Sequence, residues 1–218
     1  MLALESVEFL PFLLASAVIA RRAPTRAATD CLEDGELVRR AQSGDSSAEE
    51  AIYRRHLSFV GGIAARLLRN RAETEDIVQE TFIAVLEHID SVRDGEALRA
   101  YLAQSVVRAS RRRLRRRRIL SFLSLDDPQG EVGLETMAQG DASSEARAEL
   151  ALLDRALGRL STELRIAWTL RRVEGLELDE VAAACGCSLA TAKRRIAAAD
   201  AEVRRHVSLT TSSGEDAS

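Results

Sequence analysis

The stretch LDEVAAACGCSLATAKRRI, residues 178–196, carries a helix, a turn and a second helix. A short helical run over 178–184 ends at Cys-Gly-Cys. A longer one starts after Ser188, whose hydroxyl suits an N-cap. Gly186 sits mid-turn and supplies the left-handed backbone that so tight a connection needs. Ala182, Ala183 and Ala184 let the two helices approach closely. On the second helix Leu189, Ala192, Ile196 and Ala199 recur as an inward face. Thr191 and Arg194 fall outward, flanked by Lys193 and Arg195. Turn, cap, apolar face and basic face agree on a helix-turn-helix. That unit aims two to four polar side chains at base edges or phosphates of a major groove.

The same stretch holds two of the three cysteines, Cys185 and Cys187. A zinc site needs about four ligands, and Cys31 and His206 are remote in sequence. A redox pair is more usually spaced C-x-x-C. The plainer reading is two small apolar residues beside a turn glycine. So few cysteines make no disulfide framework, and a reducing compartment fits.

Aromatic residues make up only 4%, so the cores are built from Leu, Ala, Val and Ile, which favours helices over sheets. The net charge of −3 conceals strong segregation along the chain. No apolar run reaches the ~20 residues of a membrane span. The nearest, FLPFLLASAVIA at 9–20, contains Pro11, follows Glu5 and Glu8, and precedes Arg21 and Arg22. A secretory signal has the opposite charge order. Residues 1–29 therefore read as a poorly ordered extension, with no membrane partner and a cytoplasmic location expected.

An all-α fold of two small helical domains follows, over 30–120 and 150–207, with a polar tail at 208–218. Residues 121–149 read as a flexible acidic linker. The segment 124–149 has seven acidic residues against one basic, with Pro128 and three glycines, and cannot bury a core.

In the first block a helix over 36–42 stops at Gly44, and a capping box of Ser46 and Glu49 opens the next. Gly61 and Gly62 mark a place for close packing. In TEDIVQETFIAVLEHI (74–89), Val78, Phe82, Val85, Leu86 and Ile89 form one core-facing stripe. Asp76, Glu80, Ile83 and Glu87 lie opposite: an acidic face with one aliphatic in it, as a partner surface would have. EALRAYLAQSVVRASRRRLRRRRI (96–119) follows, with Leu98, Leu102, Val106 and Ala109 inward. Eight arginines crowd residues 108–118. Such a run repels itself unless an anion is present, and reads as a phosphate-binding edge. In the second block Ser161 is a good N-cap, Trp168 a core anchor and Gly175 a helix stop. No carboxylates cluster with His or Lys in a catalytic arrangement. Asp126 and Asp127 lie in the linker. No enzyme activity, metal or cofactor is expected.

With these residues in view the chain resembles, over 34–207, the extracytoplasmic-function (ECF) group of the sigma-70 superfamily of bacterial RNA polymerase sigma factors. The resemblance rests on ELVRRAQSGD (36–45), IYRRH (52–56), the arginine-rich helix, LDEVAAACGCSLATAKRRI and, most specifically, EDIVQETF (75–82). It implies a region 2-like domain over 30–120 and a region 4-like domain over 150–207. It implies that Asp76, Gln79, Glu80, Ile83 and Glu87 hold the clamp helices of the largest subunit of core polymerase. The resemblance implies the flap region as a further contact. Arg93, Arg99, Arg108, Arg111 and Arg112 would engage and open the −10 element, capturing a flipped base. Ser188, Thr191, Lys193, Arg194 and Arg195 would read the −35 element. Promoter DNA is thus a second partner, and such factors are often held inactive by an anti-sigma factor. The chain departs from the family at Tyr101 (commonly Trp), in VVRAS at 106–110, and in ATAKRR at 190–195 followed by Ala199 and Asp200. The alternative is a conventional helix-turn-helix regulator with a helical N-terminal sensing or dimerisation domain. The acidic stripe and the arginine-rich helix favour the sigma reading.

Overall fold

A computed structural model describes residues 32–93, 95–122 and 144–215. The extension at 1–29, Cys31, Asp126, Asp127, Pro128 and residues 216–218 lie outside the described residues. All regular structure among the described residues is helical.

Helix α1, Asp34–Gln42, ends at Gly44, which takes φ +82°. Helix α2, Ser46–Leu68, is capped by Asp45 and not by the expected Ser46. The Asp45 carboxylate accepts from the Ser47 N–H at 3.0 Å and the Ser47 hydroxyl at 2.5 Å, while Ser46 is already inside the helix. An ionised acceptor at the positive helix end outcompetes a neutral hydroxyl. Asn70 caps α3, Arg71–Glu87, by accepting from the Glu73 N–H at 3.0 Å. A 3-10 turn, Ile89–Ser91, leads to α4, Gly95–Phe122. Gly95 is required there, since a Cβ would collide with the backbone of Asp34 and Gly35 at the start of α1.

Helix α5, Ser144–Arg159, begins inside the stretch read as linker. Helix α6, Thr162–Trp168, starts after Ser161, which occupies the cap position without a side-chain bond. It widens into a π turn, Thr169–Val173, and stops at Gly175 with φ +72°. Helix α7, Leu178–Cys185, ends at Gly186 in the left-handed region (φ +61°), and α8 runs over Leu189–Glu215.

The main core joins α1 to α4 through Leu37, Ile52, Ile63, Leu67, Ile77 and Leu98, all fully buried. On α3 the expected Val78, Phe82, Val85 and Ile89 are buried. Leu86 is half-buried, and Ile77 and Thr81 share its place. Tyr101 packs against this core. A smaller cluster under α8 holds Leu157, Leu160, Trp168, Ala199 and Val203.

The two blocks are docked on each other. Ile166, Leu170, Leu176 and Val181 belong to the same buried cluster as the first block. Helix α7 packs on α4, and α6 meets α2. Ion pairs that cross the seam include Arg66 with Glu174 at 2.9 Å and Arg69 with Asp154 at 2.8 Å. Each of these two passes over a glycine. A Cβ at Gly62 would stand 2.7 Å from the Arg66 guanidinium, and one at Gly158 would collide with that of Arg69.

Candidate nucleic-acid interface

Helix α3 buries one face in the core and turns its acidic stripe outward. Asp76, Gln79 and Glu87 are exposed, Glu80 is half-exposed, and Ile83 retains 40% of its surface. The neighbouring α4 supplies countercharges. Arg113 stands 3.3 Å from Asp76, and Arg112 pairs with Glu80. Glu73, one turn earlier, is 3.7 Å from Arg113 and 3.5 Å from Arg117. The anions that the arginine run requires come in part from the chain's own α3. Arg112 is thereby tied to a carboxylate of the stripe, a pairing that helical periodicity within either helix does not reveal.

The other arginines of the first block differ in setting. Arg93 is exposed just before α4. Arg99 lies over the Phe59 ring at 4.4 Å and donates to the Glu174 carbonyl at 2.8 Å, so it sits at the seam. A cation on an aromatic face is favourable through the ring quadrupole. Arg108 is exposed and forms no hydrogen bond or ion pair among the described residues. It helps line a cavity of about 410 Å³ between α4 and the turn at Gly186. Arg111 faces the second block. Its Nε and one terminal nitrogen donate to the two carboxylate oxygens of Glu163 at 2.9 and 2.6 Å, and the other terminal nitrogen donates to the Cys185 carbonyl at 3.0 Å.

On α8 the Ser188 hydroxyl accepts from the Thr191 N–H at 3.2 Å and lies 2.9 Å from the Thr191 hydroxyl, so Ser188 caps the helix as expected. Thr191 is partly occupied by that contact. Lys193 and Arg194 are exposed, with no partner among the described residues. Arg195 is half-buried and stands 2.8 Å from Glu163. Ala192, Ile196 and Ala199 carry the inward face, but Leu189 does not. It is 45% exposed, because the first turn of α8 projects past the core. Asp200, where the family pattern is basic, serves the structure by accepting from the Trp168 indole and from Arg172.

Burial pushes the Cys185 thiol up to about 11, so it stays protonated at neutral pH and is a poor nucleophile or ligand. Among the described residues no three His, Cys, Asp or Glu side chains gather as a metal would need, and no helix is long and apolar enough to cross a membrane. What the surface offers is an acidic face with an aliphatic centre, an arginine-rich helix and a helix-turn-helix with a basic reader. These are groups for binding a basic partner and a polyanion.

Sequence reasoning missed Glu163, Glu174 and Asp200. Each meets an arginine distant in the chain, and no local signal marks them.

Comparisons with known proteins point the same way. A family model described as Sigma-70 region 2 matches residues 52–119, and one described as Sigma-70, region 4 matches residues 150–199. The ECF RNA polymerase sigma-E factor of Haemophilus influenzae is 30% identical over 174 residues, covering 76% of this chain and 90% of the relative. RNA polymerase sigma factor CarQ of Myxococcus xanthus is 31% identical over 157 residues, covering 72% and 87%. Among solved structures, CnrH in complex with the cytosolic domain of CnrY superposes with a TM-score of 0.60 at 24% identity, covering 81% of this chain and 97% of that one. The sigma factor RpoE of Bartonella quintana, in complex with the anti-sigma factor NepR, gives 0.59 at 22% identity, covering 72% and 94%. These two share its fold.

Proposed function

The chain belongs to the extracytoplasmic-function group of the sigma-70 family of RNA polymerase sigma factors, and from that premise we propose which residues do its work. It binds RNA polymerase core and promoter DNA and directs promoter-specific transcription initiation. It acts by binding, with no bond made or broken by its own side chains.

Residues 32–122 form the unit that holds core polymerase and the −10 element, and residues 144–207 the unit that holds the −35 element. Asp76, Gln79, Glu80, Ile83 and Glu87 contact polymerase. The observation that carries this is the outward stripe of α3, acidic and centred on the exposed Ile83. An aliphatic anchor ringed by charge is how a specific and electrostatically steered interface is built. Arg93, Arg99, Arg108, Arg111 and Arg112 contact the −10 element, and the basic edge of α4 supports that role. Ser188, Thr191, Lys193, Arg194 and Arg195 contact the −35 element. The helix-turn-helix geometry, with Lys193 and Arg194 free on the surface, supports that role. An anti-sigma factor is a further class of partner, as in the complex of the Bartonella factor.

The test is retention of purified core polymerase by immobilised protein. Glu80→Arg reverses the charge of the stripe at a half-exposed position, where a surface change costs within about 0.5 kcal/mol of stability. The variant folds and fails to retain polymerase. Undiminished retention overturns the assignment of the stripe.

A further inference from the structure

One carboxylate joins the two DNA-binding helices. Glu163, in the first turn of α6, takes the fork of Arg111 from α4 on both its oxygens, at 2.9 and 2.6 Å. The same Glu163 stands 2.8 Å from Arg195 of α8. The third donor group of Arg111 is spent on the Cys185 carbonyl, at the end of α7. A bidentate guanidinium–carboxylate pair is the geometry that Arg also offers a phosphate. We propose that Glu163 is an intramolecular stand-in for the DNA backbone: a latch that holds Arg111 and Arg195 together and keeps the free protein closed against promoter DNA.

The proposal rests on the reading that Arg111 serves the −10 element and Arg195 the −35 element. The −10 and −35 elements, named for their positions, lie about 25 base pairs apart, or roughly 85 Å at about 3.4 Å per pair. Two guanidinium groups on one carboxylate are within a few ångströms of each other. The closed arrangement therefore cannot serve both elements at once, and the Glu163 triad must break when they are bound together.

The seam around Glu163 is built for closure. Val107 is fully buried, although it shares a helical face with Gln104 and Arg111, both turned toward α7. The Gln104 amide donates to the Ala183 carbonyl at 3.5 Å. Apolar packing and the ion pairs at Gly62 and Gly158 assist the closure, and Glu163 tips it. Glu163 gives it a consequence, because its partners are the DNA-binding groups. Opening frees two arginines, and each phosphate that an arginine neutralises adds about 0.9 to the slope of log K against log salt.

Two measurements on the full chain test this. The first uses Glu163→Gln, which keeps the shape and removes the charge of a 40% exposed side chain. The probe is a fluorescein-labelled 30-base-pair duplex of mixed sequence, read by anisotropy without polymerase. Glu75→Gln serves as control, removing the same charge from an exposed pair with Arg71. Glu163→Gln is expected to bind about tenfold tighter than the parent, with a salt slope steeper by about 1.8, while the control matches the parent. Equal affinity and slope in Glu163→Gln, Glu75→Gln and parent overturn the latch.

The second measurement contains no DNA. Spin labels are attached at Arg39→Cys on α1 and Ala198→Cys on α8, both exposed, after replacement of the native cysteines. The distance distribution is expected to be narrow in the parent and to shift to longer values in Glu163→Arg. An unchanged distribution overturns the latch directly. A distribution that opens with no gain in DNA affinity overturns it through its premise, the assignment of Arg111 and Arg195 to DNA.

Discussion

Trp168 donates its indole N–H to Asp200 at 3.0 Å, tying α6 to α8. The same carboxylate takes the fork of Arg172 at 3.1 and 2.5 Å. Arg172 holds the Asp200 carboxyl below its usual range; burial opposes this, and Trp168 and Arg204 add smaller lowering effects. Asp200→Ala leaves the indole N–H of an almost buried tryptophan without its partner, and should cost about 1–3 kcal/mol. The pH sign follows from the lowered folded value. The contribution is present above the unfolded value of about 3.9 and lost as pH falls through the folded one. Urea unfolding should show parent and variant well apart at pH 7 and converging in acid. A constant gap would mean that Asp200 acts through packing alone.

His56 is buried on α2, with Nε2 3.1 Å from Asp34. Burial pushes its imidazole below the usual range, Asp34 opposes this, and Arg55 and Arg99 add to it. Its unfolded value is about 6.5. The unfolded chain thus takes up the proton first, and the stability tied to neutral His56 is present above that pH and lost below it. Glu174, which lines a cavity together with His56, is raised by burial against the opposing charges of Arg66 and Arg99, and its linkage has the opposite sign. Between pH 7.5 and 5.5 the parent should lose about 2–4 °C of Tm more than His56→Gln. Parallel melting profiles for the two proteins would contradict this.

Arg194 is exposed on α8 and has no partner among the described residues, so its removal should leave stability alone. If it reads a base, Arg194→Ala costs about 1–3 kcal/mol of discrimination at one position of the −35 element. Competition with base-substituted promoter duplexes checks this. A uniform loss across all duplexes would place Arg194 on the phosphates.

What could be read from sequence was what is local. The helix-turn-helix was legible because Ser188, Gly186 and the spacing of Ala192, Ile196 and Ala199 all act within one short stretch of chain. Gly44, Gly175 and Gly186 all take positive φ where a helix has to stop. The stripe of α3 followed from its period. Ser46 gave way to Asp45 because two neighbouring cap formers competed and the charged one won. Leu189 fits the inward period yet lies a turn beyond the core it would have joined.

The docking of the two blocks could not be read at all. Arg66 and Glu174 are 108 positions apart, Arg69 and Asp154 are 85, and Arg111 and Glu163 are 52. No periodicity spans such separations. Gly62, read as a place for close packing, and Gly158, which carries no local signal, make room for two of these pairs. The arginine run likewise called for an outside anion, and Glu73, Asp76, Glu80 and Glu163 of the same chain meet part of that need.

Run-off transcription tests the central claim most directly. Purified core polymerase and a genomic promoter library are incubated with and without this protein, and the transcripts are sequenced. The account predicts a defined set of start sites that appears only when the protein is added and is lost with Glu80→Arg. No new start sites, together with binding of a defined operator by the protein alone, would contradict it and leave a conventional helix-turn-helix regulator in its place.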